Sequence, residues 1–266
     1  MSAEGWLQTR GLSKHFGAVV ALHEFNLRIG LGEVVALVGD NGAGKSTLVK
    51  ILSGAHLPSS GEIAISDRVV SIDSPGRARS FGIATIFQEL ALVENLTVYE
   101  NIFLGREMLR PIFGLPIMDR RRMRERVLSL LESLGAHVPS PSALISELSG
   151  GQRQAVAIAR ALDLETRLVI MDEPTAALAV VESRKVLKLI DQLRRNGNGV
   201  LLVSHNLTDV FEVADRIVAL RRGRKVADVL RSHTNPEEVV SWITGAKSGL
   251  GTAVLPNHQP PAIGKT

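Results

Sequence analysis

Eight consecutive residues, Gly39-Asp40-Asn41-Gly42-Ala43-Gly44-Lys45-Ser46, constrain this chain more than any other segment. They follow Glu33–Val38, a short continuous apolar run that reads as a strand buried on both faces, and they lead into Lys45–Leu52, which has helical spacing. Strand, glycine-rich loop and helix in that order are the setting that the phosphate-loop pattern G-x-x-x-x-G-K-[ST] requires. The glycines let successive backbone N–H groups point inward at phosphate oxygens, and the helix start behind them adds a fixed positive end. In that setting Lys45 reaches the β- and γ-phosphates of a nucleotide, the Ser46 hydroxyl ligates Mg²⁺, and Thr47 is placed to bond the α-phosphate. A glycine-rich turn can match by chance, but the flanking strand and helix argue against chance in this chain.

The rest of the chain reads as an α/β protein around that loop. Leu7–Leu12, Leu22–Ile29 and Glu62–Ile65 are strand-like, the last after the turn Pro58-Ser59-Ser60-Gly61. The middle third reads as helical: Asp119 is an N-cap for Arg120–Leu134, where Met123, Val127, Leu131 and Leu134 share a face, and Gly135 is the stop. A second helix spans Gln152–Leu162. Strands Leu168–Met171, Val200–Ser204 and Ile217–Leu220 then alternate with helices Val181–Arg195 and Leu207–Ala214, which predicts a mostly parallel sheet with right-handed crossovers. Arg221–Lys225 reads as a hairpin turn into Val226–Val229, and Pro236–Thr244 as a last short helix. Beyond Gly245 there is no periodicity.

Two further motifs carry chemistry. Leu168–Met171 ends in Asp172 and Glu173, and carboxylates closing an apolar run are costly unless used. Beside a phosphate loop, Asp172 would orient the Mg²⁺ shell and Glu173 would hold and polarise an attacking water. Leu148-Ser149-Gly150-Gly151-Gln152 opens an alanine-rich helix and forms a second N-terminal anion site. Two phosphate-binding helix starts in one chain make sense if Ser149 serves the nucleotide held by a second copy.

With these motifs the sequence resembles the ATP-binding subunits of ATP-binding-cassette (ABC) transporters over about Leu7 to Gly245. The resemblance implies a P-loop cassette of α/β class over residues 5–245: a mixed central sheet, an antiparallel β subdomain and an inserted helical subdomain at about residues 89–162. Residues 246–266 are expected to be a flexible tail. Gly39–Ser46 matches the Walker A loop, Leu168–Glu173 Walker B with its glutamate, and Ser149, Gly150 and Gly151 the signature. Gln88 corresponds to the Q-loop glutamine, a further Mg²⁺ ligand with a catalytic part, His205 to the switch histidine near the γ-phosphate, and Phe16 to the aromatic that stacks on adenine. The family's D-loop usually ends in aspartate, whereas Ala179 stands there in this chain, which bears on coupling across the dimer.

The stretches Phe87–Leu90, Leu96–Glu107, Asp119–Met123 and Glu173–Leu178 are similar to monosaccharide importers of the ribose, xylose and fructose type, most of all to single-cassette ones. That likeness implies ATP and Mg²⁺ as cofactors, a homodimer, integral-membrane permease subunits and, indirectly, a periplasmic sugar-binding protein. The expected location is peripheral, on the cytoplasmic face of the inner membrane. Alternatives within the family are another small solute such as an amino acid, a non-hydrolysing cassette, and a soluble ATPase acting on nucleic acid or ribosomes. No nucleic-acid partner is expected: a net charge of +4 over 266 residues is a weak field, and no long coiled-coil insertion or second cassette is seen. The arginines Arg120, Arg121, Arg122, Arg124 and Arg126 read as a solvated helix face, with acidic lipid headgroups or nucleic acid as the alternative. The absence of cysteine excludes a disulfide scaffold, a cysteine-ligated metal and a thiol nucleophile. The longest apolar runs are far short of the ~18 residues that cross a bilayer. The first ten residues lack a basic start leading into an apolar stretch, so no cleaved export signal is expected.

Overall fold

The computed structural model describes residues 5–112, 115–162, 166–176, 178–246 and 251–252. The chain opens with a hairpin, β1 (Leu7–Phe16) and β2 (Val19–Ile29), followed by β3 (Val34–Val38) and α1 (Lys45–Leu52). Strands β4 (Ser60–Ile65) and β5 (Arg68–Val70) return to the hairpin and build an antiparallel sheet in the order β2-β1-β4-β5. After α2 (Pro75–Ser80) and β6 (Ile83–Ile86) comes an inserted region. It holds α3 (Val98–Phe103), the ribbon β7 (Leu109–Ile112) and β8 (Leu115–Met118), α4 (Arg120–Ser133) and α5 (Gly150–Ala161). The second half alternates: β9 (Leu168–Asp172), α6 (Val180–Arg195), β10 (Gly199–Val203), α7 (Leu207–Val213), β11 (Arg216–Arg221), β12 (Arg224–Leu230), α8 (Pro236–Thr244) and β13 (Gly251–Thr252).

The central sheet has the order β13-β12-β11-β3-β10-β9-β6 and is parallel except where β11 meets β12. Its middle strands are apolar throughout because both faces are covered. Along β3, Val34, Ala36 and Val38 enter one core with α4, α5 and α6, while Val35 and Leu37 enter the other with α1 and the antiparallel sheet. A continuous hydrophobic run therefore still obeys the two-residue alternation of a strand. One ion-pair network bridges the sheet: Arg216, nearly buried, donates to Glu33 Oε1 and to Asp228 Oδ1, each at 2.7 Å.

The middle third is not helical throughout, as its pattern predicts; the β7–β8 ribbon interrupts it. Pro111 and Pro116 sit opposite each other in that ribbon. Proline cannot donate to a ladder and is confined to edge positions, so the segment carries little strand signal. Helix α5 begins two residues before the predicted start because Ser149 caps it. Gln152 N–H donates to Ser149 Oγ at 3.4 Å, and Ser149 N–H donates to Gln152 Oε1 at 2.9 Å. Of the tail, Gly251–Thr252 lies parallel to Ala227–Asp228, and residues 253–266 lie outside the described part.

Candidate active site

Three neighbouring strands deliver their carboxyl ends to one place. Val203 at the end of β10 is registered against Leu37 on β3 and against Asp172 on β9. The loop after β3, the acids after β9 and His205 after β10 are thereby brought together, at the edge where open α/β sheets bind ligands. The hollow there has a volume of about 490 Å³. Asp40, Asn41, Gly42, Gly44, Lys45, Ser46 and Thr47 line it from the loop and the start of α1, with Gln88, Asp172, Glu173 and His205 opposite.

The loop owes its shape to its glycines. At Gly44 φ is +110°, and a Cβ there would lie 2.5 Å from the Ala21 carbonyl oxygen; at Gly39 a Cβ would lie 2.3 Å from the Leu220 carbonyl oxygen. Only glycine permits both the backbone conformation and the approach. Gly39 and Ala43 do not line the hollow but hold the loop: Gly39 accepts from Lys45, and Ala43 accepts from Gly223 N–H at 2.8 Å. The Lys45 ammonium, on a residue only 8% exposed, donates to the carbonyls of Gly39 at 2.5 Å and Asp40 at 3.1 Å.

Burial pushes the Asp172 carboxyl up from its ordinary value, and the neighbouring Glu173 charge adds to the rise, while Lys45 and Lys50 oppose it. Glu173 adopts φ +51°, a left-handed backbone that costs a bulky residue energy and clusters at functional positions. Its N–H donates to Val203 O at 2.9 Å, which fixes the turn. Its carboxylate Oε2 lies 2.8 Å from His205 Nδ1 and also accepts from His205 N–H at 3.4 Å. Glu173 is largely shielded, whereas the His205 side chain is 69% exposed.

Four predicted residues lie elsewhere. Ser149, Gly150 and Gly151 are not among the residues lining the hollow; a Cβ at Gly150 would meet Leu178, and one at Gly151 would meet Glu182. Phe16 does not line it either, but packs edge-on against His56 with centroids 5.6 Å apart, and Lys14 Nζ is 5.1 Å from its ring centre. Val19, Val20 and Ala21 of the same hairpin do line it. Sequence reasoning missed these three, since small apolar residues near a turn carry no signal beyond their nearness to Phe16. It also missed Asp209, which accepts from Thr175 Oγ1 at 2.7 Å and so ties the segment after Glu173 to α7. Among the described residues no cluster of three or more His, Asp or Glu side chains is arranged to hold a metal. No helix among them is long and apolar enough to cross a membrane.

The family model for ABC transporters matches residues 22–176. The chain is 47% identical over 243 residues to the xylose/arabinose import ATP-binding protein of Sulfolobus acidocaldarius, covering 91% of this chain and 95% of that protein. It is 44% identical over 251 residues to the fructose import ATP-binding protein of Rhizobium meliloti, covering 93% and 96%. A ribose import ATP-binding protein of Rubrobacter xylanophilus is 46% identical over 239 residues, but this chain covers only 47% of it. Among solved structures, a nucleotide-free ATP-binding cassette from an ABC transporter superposes with TM-score 0.75 at 26% identity, covering 90% of this chain and 94% of that one. A dimeric cassette in a post-hydrolysis state, bound to ADP and Pi, superposes with TM-score 0.68 at 29% identity, covering 84% and 97%.

Proposed function

The chain belongs to the ABC transporter family, and from that premise we propose that it is the ATP-hydrolysing subunit of an importer for a monosaccharide of the xylose, fructose or ribose type. One observation carries the catalytic part: Lys45, Gln88, Asp172, Glu173 and His205 surround a single hollow beside a glycine-built phosphate loop. The triphosphate enters the cradle of residues Gly39–Thr47, where Lys45 exchanges its two carbonyl partners for phosphate oxygens. Ser46, Gln88 and Asp172 supply oxygen donors of the kind a hard cation takes, and the raised carboxyl of Asp172 is the state that a nearby cation reverses. Mg²⁺ held by these residues would neutralise phosphate charge during the transfer. Glu173 orients and polarises the attacking water, and its contact with Nδ1 of His205 sets the imidazole toward the γ-phosphate. Phe16, exposed on the hairpin whose Val19–Ala21 line the hollow, stacks on adenine.

The position of Ser149–Gly151, away from the hollow of their own chain, supports a site completed by a second copy. Each nucleotide is then bound from both sides, and loss of the γ-phosphate lets the pair open. In this reading residues 5–245 are the cassette, and the inserted region after Gln88 passes its motion to integral-membrane permease subunits at the cytoplasmic face. A periplasmic sugar-binding protein delivers the substrate, and the ATPase never touches the sugar. A Glu173→Gln variant should keep ATP binding and lose turnover by about 100-fold or more. Wild-type rates in that variant would refute the catalytic assignment. Co-purification of a permease with an amino-acid-binding rather than a sugar-binding protein would refute the substrate class.

A further inference from the structure

The β7–β8 ribbon and the first turns of α4 take no part in the nucleotide site. In residues 109–126 six arginines stand against two acids, a surplus equal to the whole chain's net charge of +4. The rest of the chain is therefore balanced, and its basic character is local. Arg110, Arg120, Arg121, Arg122 and Arg124 are all exposed, and the Arg121 side chain reaches 85%. Arg121 pairs with Glu125 at 2.9 Å, while Arg124 lies over the Tyr99 ring at 6.0 Å and donates to Arg120 O.

The placement of these charges works against the helix. The first turn of α4 contains Arg120, Arg121 and Arg122 and no acid, at the end where the helix dipole favours anions. Asp119 is the only acid there, and it is used as the cap, accepting from Arg122 N–H at 3.1 Å. Cations gathered at a positive helix end are relieved by an external anionic surface.

Exposed apolar side chains stand beside them. Leu109 is 57%, Leu115 65% and Ile117 42% exposed. The register pairs Leu109 with Met118 and Arg110 with Ile117, so Leu109 lies on one face of the ribbon and Leu115 and Ile117 on the other. The ribbon is a separate two-stranded sheet whose base is anchored by Met108 and Met118 against the core. Arg110 shares the face of Leu115 and Ile117, opposite the face of Met118 that packs on the core, so a cation and two exposed aliphatic groups stand together there, the combination that an anionic headgroup layer takes.

We propose that this ribbon and the N-terminal half of α4 form a direct contact with anionic phospholipid, the aliphatic side chains entering the headgroup boundary and the arginines pairing with phosphates. The contact is separate from the nucleotide site, whose hollow none of these residues lines. It gives the subunit a membrane affinity of its own and biases the orientation in which it meets its membrane partners.

The test is co-sedimentation of the full chain with phosphatidylglycerol-containing vesicles and with pure phosphatidylcholine vesicles. The wild type should prefer the anionic vesicles, and raising salt from about 0.1 M to about 1 M, which shortens the screening length from about 10 Å to about 3 Å, should release it. The triple exchange Arg120→Gln, Arg121→Gln, Arg122→Gln should weaken binding by about a hundredfold, roughly fivefold per charge. Leu115→Ser with Ile117→Ser should weaken it by about tenfold or more while preserving the salt response. All substituted residues are exposed and remote from the hollow, so ATP turnover in solution and thermal unfolding should stay at wild-type values and certify the fold. Equal binding to both vesicle types, or unchanged binding in the arginine variant, would overturn the proposal. So would tighter binding to a duplex oligonucleotide than to anionic vesicles at the same salt, which would assign the surface to nucleic acid.

Discussion

Replacing Ala179 with aspartate should stabilise this protein. Ala179 is the N-cap of α6, with φ −65° and ψ 153°, and its methyl group offers no acceptor to the first-turn amides. The Glu182 and Ser183 N–H groups both turn to the Ala179 carbonyl, each at 2.9 Å. Ala179 is exposed, so a carboxylate has room there to accept from a first-turn N–H. Restoring a cap is worth about 1 kcal/mol, and the charge adds roughly 0.3–1 kcal/mol through the helix dipole. Repulsion from Glu182, already in the first turn, removes a few tenths of a kcal/mol, roughly the size of a like-charge pair on a helix surface. The net gain of about 1 kcal/mol should raise Tm by about 2–4 °C and shift the urea midpoint upward at constant slope. Ala179→Ser should give the cap without the charge and a smaller rise. An unchanged or lowered midpoint at constant slope in both variants would refute the reading of Ala179 as an uncapped helix start. Turnover measured on the same samples then separates the effect on stability from any effect on activity.

Gly44→Ala should destabilise the fold by more than about 1 kcal/mol and weaken ATP binding, because its Cβ meets the Ala21 carbonyl at 2.5 Å with φ at +110°; denaturation and nucleotide titration both read this. Arg216→Ala should cost about 3 kcal/mol in urea unfolding, since Glu33 would keep a partly buried charge without its cation and Asp228 would be left with Lys225 alone. Hydrogen bonds from the Thr97 hydroxyl, at 2.7 Å, and the Thr97 N–H hold the Glu100 carboxyl below the usual carboxylate range. A carboxyl that binds its proton more weakly in the folded state adds stability at neutral pH and loses it as pH falls through the folded pKa. Glu100→Gln should therefore be less stable at neutral pH, by under about 1 kcal/mol, with the gap closing in the acid range. A gap independent of pH would contradict the assignment. Lys45→Ala should abolish measurable ATP binding while leaving the unfolding midpoint within a few degrees, as calorimetric titration and thermal unfolding would report.

Much of the site was readable because its parts are local. A phosphate loop is contiguous, and its glycines, lysine and serine act through backbone geometry within eight residues, so Gly39–Ser46 announces itself in one dimension. The cap at Ser149 and the acids closing Leu168–Met171 are equally short-range. Less readable were features set by what lies alongside. Pro111 and Pro116 hid the β7–β8 ribbon, and Val19–Ala21 carry no chemical mark of lining a hollow.

Spacing along single segments accounts for the phosphate loop, the acids that close β9 and the alternation that makes a parallel sheet, while Gln88 and His205 were picked out by likeness to a family. Which of these residues meet is set by packing. Glu173 touches His205 because β9 and β10 run in parallel with Asp172 beside Val203, a register fixed by burial on both faces of the sheet. Thr175 reaches Asp209 across 34 residues for the same reason. The separation of Ser149 from the hollow, and the exposure of most of the arginines that the sequence gathers in residues 109–126, likewise follow from how the inserted region packs. Local spacing dictates chemistry and secondary structure, but proximity between distant segments is set by the packing of whole faces, which no single segment encodes.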